Sequence, residues 1–142
     1  VHSRTVLTLG SFDTFHVGHI ELLQACRELA GPKGRVVVAL NSSDFIREYK
    51  GHWPTQTYEE RRVALELRPE VDEVYQGTGR HSWVAIYRSG ATVIAIGDDW
   101  LPRERYLKQL DMTDAMLESF CIEIVFVPRT TGQSSTKIRE GS

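Results

Sequence analysis

Apolar residues along the chain fall into short, dense runs that alternate with longer stretches in which they recur every three or four positions, a pattern that predicts strands alternating with helices. The strand-like runs are 5–9 (TVLTL), 35–41 (RVVVALN), 71–75 (VDEVY), 91–96 (ATVIAI) and 122–127 (IEIVFV). Runs such as RVVVALN have no polar alternation, so they suit strands covered on both faces, as in a parallel sheet. Helical spacing occupies 20–29, with apolar residues at 20, 22, 23, 26 and 29, and then 58–67, 81–88, 101–110 and 113–120. Thr57 with Glu60 three residues on forms a capping box that opens the second of these helices. Gly31 to Gly34, Lys50 to Pro54 and Gly77 to Gly79 read as turns or loops, Ser42 to Asp44 as a cap or turn, and a terminal helix is expected from about Ser134. The expected fold is a three-layer α/β Rossmann-like sandwich on a parallel sheet of about five strands.

Length and composition narrow the partners without changing that picture. The chain has 142 residues, enough for one domain that buries roughly two thirds of its unfolded surface, and residues 1–142 are expected to form a single domain. A net charge of −2 offers no basic footprint for nucleic acid. No run approaches a membrane span, residues 1–4 do not read as a signal peptide, and the two cysteines make no disulfide framework. A cytoplasmic protein is the expectation, with Cys26 in a helix and Cys121 in a strand-like run serving as core.

The chemistry concentrates where the first strand meets the first helix. Gly10-Ser11-Phe12-Asp13-Thr14-Phe15-His16-Val17-Gly18-His19 places two imidazoles three residues apart at a helix start. There, free backbone N–H groups and the positive end of the helix dipole favour an anion, most often a phosphate. Gly10 and Gly18 allow close approach of the backbone, and His16 and His19 can face the same way. A zinc site would need a third ligand that no Cys/His cluster supplies, so no metal ligand is assigned. The G-x-G-x-x-G dinucleotide fingerprint is absent. Asp13 suits a helix cap better than a metal contact.

Two later segments repeat the theme. Gly97-Asp98-Asp99-Trp100 follows a buried strand, at the carboxyl end where open α/β sheets place ligands. Arg129-Thr130-Thr131-Gly132-Gln133-Ser134-Ser135-Thr136 follows the last strand and precedes a helix, so its hydroxyls, N–H groups and guanidinium can form a second phosphate cradle.

Together these segments resemble the cytidylyltransferase family, whose signatures are G-S/T-F-D-x-x-H-x-G-H and R-T-x-G-I-S-T-T. The likeness spans nearly the whole chain, and within the family it is greatest to the compact glycerol-3-phosphate branch, through GDDW at 97–100, VDEV at 71–74 and Tyr58-Glu59-Glu60-Arg61. The resemblance implies transfer of CMP from CTP to glycerol 3-phosphate, giving CDP-glycerol and pyrophosphate. It implies catalytic roles for His16, His19, Lys50 and Arg129, and nucleotide contacts from Gly10, Ser11, Phe12, Gly18, Asp98, Thr130, Gly132, Ser134, Ser135 and Thr136. Trp83 and Arg68 fall on the acceptor side, Mg²⁺ travels with the triphosphate, and a homodimer through 71–74 is implied. Two positions depart from the pattern: Gln133 stands where the family has Ile, and Pro69 stands where it has an Arg associated with the cytosine ring, with Arg68 one place earlier. Other phosphorylated acceptors (phosphocholine, phosphoethanolamine, a sugar phosphate), ATP as donor, or a sensor that binds nucleotide without turnover are the alternative readings.

Overall fold

A computed structural model describes residues 4–128 of the chain. Arg129, Thr130, Gly132, Gln133, Ser134, Ser135 and Thr136, and the helix expected from Ser134, lie outside the described residues.

The elements run β1 (Thr5–Gly10), α1 (Val17–Ala30), β2 (Arg35–Leu40), α2 (Ser43–Lys50), α3 (Tyr58–Glu66), β3 (Glu73–Gln76), α4 (Ser82–Ser89), β4 (Val93–Gly97), α5 (Arg103–Leu110), α6 (Asp114–Phe120) and β5 (Glu123–Val127), with a 3-10 turn at Asp98–Trp100. All five strands are parallel, in the order β3-β2-β1-β4-β5. Strand side chains alternate between two covered faces. Leu7, Val37, Ala39, Ile94 and Ile96 pack with Ala85 and Ile86 of α4, the apolar stripe of α5 and Leu117 of α6. Val6, Val36, Val93 and Ala95 pack with Cys26 and Ala30 of α1, and Val38 and Leu40 pack with Leu23 of α1 and Leu65 of α3. That is the three-layer sandwich, and it explains why β2 is apolar at every position after Arg35.

The order reverses at β1: the chain moves from β1 to β2 and β3 on one side, then returns to place β4 and β5 on the other. Such a switch point is where open α/β sheets hold ligands. The register widens it. β1 pairs with β2 along its whole length, from Thr5↔Arg35 to Gly10↔Leu40, but with β4 only at Val6↔Val93 and Leu7↔Ile94. Beyond Leu7 the two strands part.

Several sequence expectations shift. α1 starts at Val17, three residues before the periodic run, because His16 caps it. The segment after Leu40 is a helix, α2, capped by the Ser42 side chain accepting from Phe45 N and ended by Gly51 at φ 82°. β3 begins two residues late because Val71 turns into the core and the Asp72 carboxylate accepts from Val36 N at 2.8 Å. Cys26 is buried as expected, and burial pushes its thiol up to about 12. Cys121, expected in a strand and in the core, is instead the exposed left-handed residue (φ 56°) that ends α6. No helix among the described residues is long and apolar enough to cross a membrane.

Candidate active site

The loop from Ser11 to Phe15 makes a tight path, with two non-glycine residues, Phe12 (φ 48°) and Thr14 (φ 46°), in the left-handed region. Such conformations cost about 1–3 kcal/mol each and persist only where the surroundings enforce them. Phe12 is anchored in the core at 4% exposure. Gly10 lets the ring pack close, since a Cβ there would stand 3.1 Å from the Phe12 ring and push it by a few tenths of an ångström. Asp13 does not cap α1. Its carboxylate oxygens accept from Thr55 N (2.7 Å) and Gln56 N (2.9 Å), just before the Thr57 cap of α3, and Thr14 N donates to Gln56 Oε1 at 2.9 Å.

Beneath the loop lies Arg61 of α3, fully buried. Nη1 donates to Ser11 O (3.0 Å) and Asn41 O (2.8 Å), Nη2 to Ser43 Oγ (3.0 Å) and Nε to Gln56 O (3.3 Å). One guanidinium therefore ties the ends of β1 and β2 and the starts of α2 and α3 into one assembly. Burial pushes its pKa down from the ordinary value, with the Asp13 carboxylate opposing, yet an arginine stays charged in a protein. The result is a fixed positive charge under the loop. The sequence signal for it was available: Arg61 and Leu65 lie one turn apart on the same buried face of a capped helix.

The histidines form a reciprocal cap at the start of α1. His16 Nδ1 accepts from Gly18 N and His19 Nδ1 accepts from His16 N, both at 3.1 Å. Because both Nδ1 atoms accept from backbone, each neutral ring carries its proton on Nε2, and the pair presents two N–H donors. The rings stack at 3.9 Å, and Phe12 and Phe15 flank His19 at 5.1 and 5.2 Å.

A cavity of about 640 Å³ opens over the switch point between β1 and β4. Of the residues picked from sequence, Gly10, Ser11, Phe12, His16, Gly18, His19 and Lys50 line it. Lys50 is the exposed last residue of α2, its Nζ 5.8 Å from the centre of the Tyr49 ring. Ser11 Oγ is held by Tyr49 Oη (3.1 Å) and Asn41 Nδ2 (3.2 Å). Asp98, Arg68 and Trp83 are not in the lining. In the 3-10 turn it is Asp99 and Trp100 that face the cavity. Arg68 makes a bidentate pair with Glu70 (3.0 and 2.9 Å), and Trp83 sits 42% exposed on α4. Sequence reasoning missed Asn41 and the α5 residues Arg105, Tyr106 and Gln109, which form the far wall.

The arrangement suits an anion held between a helix N-terminus, two imidazole donors and a lysine, with room beside it for the rest of a nucleotide. A family model described as cytidylyltransferase-like matches residues 7–141. The glycerol-3-phosphate cytidylyltransferase of Bacillus subtilis strain 168 is 32% identical over 139 residues, spanning 96% of this chain and 95% of that protein. An FAD synthase of Korarchaeum cryptofilum is 30% identical over 135 residues, spanning 95% of this chain and 88% of that one. Among solved structures, a lipopolysaccharide core biosynthesis protein from Thermoplasma volcanium superposes with a TM-score of 0.71 at 19% identity, covering 91% of this chain and 98% of that one, a likeness of fold.

Proposed function

The chain belongs to the cytidylyltransferase-like family, and from that premise we propose that it transfers CMP from CTP to glycerol 3-phosphate, forming CDP-glycerol and pyrophosphate. The observation that carries the reading is the reciprocal histidine cap, which aligns two Nε2–H donors at the start of α1 beside a cavity large enough for a nucleotide.

A phosphate monoester is already a nucleophile at neutral pH, so no side chain has to take a proton from it. One of its oxygens bonds to the α-phosphorus in line with the bridging oxygen. The bond from the α-phosphorus to that bridging oxygen breaks, and pyrophosphate leaves with the electron pair. The protein's work is to bring two anions together and to stabilise the charge that gathers on the transferring phosphoryl group. His16 and His19 donate to it through Nε2, the dipole of α1 adds to the same field, and Lys50 reaches the phosphates from α2. Arg129, Thr130, Gly132, Ser134, Ser135 and Thr136 hold the phosphates and ribose on the strength of the resemblance, while Asp98, implied for the nucleoside, lies outside the cavity lining. Magnesium enters with the triphosphate as part of the substrate. Asp13 uses both carboxylate oxygens on backbone N–H groups, and no group of three His, Cys, Asp or Glu among the described residues could cage an ion.

Pyrophosphate release from CTP and Mg²⁺ with glycerol 3-phosphate is the test. Release only with phosphocholine, phosphoethanolamine or a sugar phosphate, or only with ATP as in an FAD-forming reaction, would reject the substrate and keep the class. Binding of CTP with no release from any pair would favour the sensor reading. We also propose a homodimer through 71–74, which leads into β3, an edge strand of the sheet; light scattering at the mass of one chain would reject it.

A further inference from the structure

Tyr106 stands out in the cavity wall. It is 2% exposed on the apolar stripe of α5, with its ring 5.3 Å from Trp100 and edge-on to Phe126 at 6.0 Å. Its hydroxyl has no hydrogen-bond partner among the described residues. Phenylalanine would keep this packing without the destabilisation that an unpartnered buried hydroxyl brings. A residue that works against folding in this way is expected where a ligand makes use of it. Burial pushes the phenol well above its ordinary pKa, so Oη stays protonated and can donate. One turn on, Gln109 also lines the cavity, half-buried, with no hydrogen bond to its amide among the described residues.

Position says which part of a ligand these groups meet. The histidines stand at the end of β1, whereas Tyr106 touches Phe126 of β5, two strands away and so roughly 10 Å across the sheet. That separation is on the scale of a nucleoside, measured from its phosphate to its base. The chemistry agrees. Phosphates call for charged donors, and the cation on this wall, Arg105, is engaged: Nη1 donates to Asp99 O at 2.6 Å and the guanidinium lies 4.7 Å over the Trp100 ring. A neutral hydroxyl and an amide suit the edge of a heterocycle.

We propose that Tyr106, with Gln109 beside it, reads the base of the nucleotide, the hydroxyl donating to the 2-keto oxygen of a pyrimidine, so that a pyrimidine triphosphate is preferred to ATP. This deepens the nucleotidyl-transfer reading and rests on it. Adenine carries no keto oxygen and offers its ring-nitrogen acceptors on a larger bicyclic frame, and a site built to meet a keto oxygen discriminates against the analogue that cannot place an acceptor there. The Gln109 amide can turn to meet either a 4-amino or a 4-keto group, so the pair separates pyrimidine from adenine and leaves CTP and UTP alike. The hydroxyl is closed to solvent, so a base reaches it by side-chain movement in this wall.

The test compares the wild type with Tyr106→Phe, using CTP, UTP and ATP as donors for pyrophosphate release and, independently of turnover, for binding by calorimetry. The expected result is affinity for CTP and UTP weakened about tenfold while affinity for ATP holds, so that the CTP-to-ATP ratio falls about tenfold, with a melting temperature no lower than wild type. A Tyr106 whose hydroxyl served only the fold would give a lower melting temperature in the Phe variant and leave the CTP-to-ATP ratio where it was. That unchanged ratio, or a wild type that binds ATP more tightly than CTP, overturns the proposal. Gln109→Ala, at a half-buried position, is expected to weaken both pyrimidine nucleotides and not ATP, and an equal loss for all three also overturns it. Failure of the wild type to release pyrophosphate from any pair counts against the proposed reaction, while the binding ratio still decides the role of Tyr106.

Discussion

Replacing Arg61 with methionine removes a buried charge and keeps most of its volume. Four acceptors lose their donor: Ser11 O, Asn41 O, Gln56 O and Ser43 Oγ. Each buried acceptor left unsatisfied costs about 1–3 kcal/mol, which summed naively is roughly 4–12 kcal/mol. Against that, the variant no longer has to desolvate a guanidinium, a penalty of several kcal/mol in a real protein, and carbonyls near the surface recover water. Breaking a buried charged network by removing one member is measured at about 3–5 kcal/mol, and the low end applies here because every partner is neutral. For a chain of 142 residues a loss of about 3 kcal/mol lowers the melting temperature by roughly 6–15 °C. The effect on turnover is expected to be larger than the effect on folding. Two of these hydrogen bonds fix Ser11 O, next to Phe12, and Gln56, whose side chain accepts from Thr14 N, so the loop with its two left-handed residues loses supports, and a displacement of about 1 Å at a reacting centre costs about a hundredfold in rate. Arg61→Lys keeps the charge without the fork, so it is expected to recover part of the stability and little of the rate. Thermal unfolding by circular dichroism, with kcat and KM for pyrophosphate release, checks each statement. An Arg61→Met protein that melts within about 2 °C of wild type at full turnover would refute the idea that this residue holds the loop.

The histidines separate cap from catalysis. His16→Asn keeps a side-chain acceptor for Gly18 N, so stability is expected to stay within about 0.5 kcal/mol of wild type, whereas His16→Ala loses about 1 kcal/mol; both are expected to lose about a hundredfold or more in kcat, and equal melting of Asn and Ala variants would remove the cap from the account. Arg68 holds the Glu70 carboxyl below its ordinary pKa, so the pair stabilises the fold above the usual carboxylate range and that contribution is lost as pH falls through it. Urea midpoints between pH 6 and pH 3 are therefore expected to fall more steeply for wild type than for Glu70→Gln, and parallel curves would contradict the pairing. Of the two cysteines, Cys121 is exposed and Cys26 buried with its thiol pushed up to about 12, so a disulfide reagent is expected to titrate one thiol in the native protein and two in denaturant.

The order of strands and helices was legible because parallel strands covered on both faces must be apolar throughout, as 36–40 are, and because Thr57 and Glu60 announce a helix start in any context. Elements shortened or displaced by tertiary contacts were less so. Asp72 left its strand to bond Val36 N, and Cys121 became a helix end whose left-handed backbone no spacing rule marks. Asp13 carries a cap-like sequence signal, and its target turned out to be a loop some forty residues away.

At the site, the sequence alone determined the two imidazoles at a strand-to-helix crossing, because their spacing and the flanking glycines are local facts. Which groups would meet them depended on where the chain returns. Only the crossing of β4 to the far side of β1, and its parting from β1 beyond Leu7, brought α5 with Tyr106 and Gln109 to the cavity, while Arg68 closed on Glu70 two residues on. Arg61 makes the same point from below. A charged side chain in the core is an unfavourable choice by composition, and it becomes a favourable one only when folding places four oxygens around its guanidinium, within 2.8–3.3 Å.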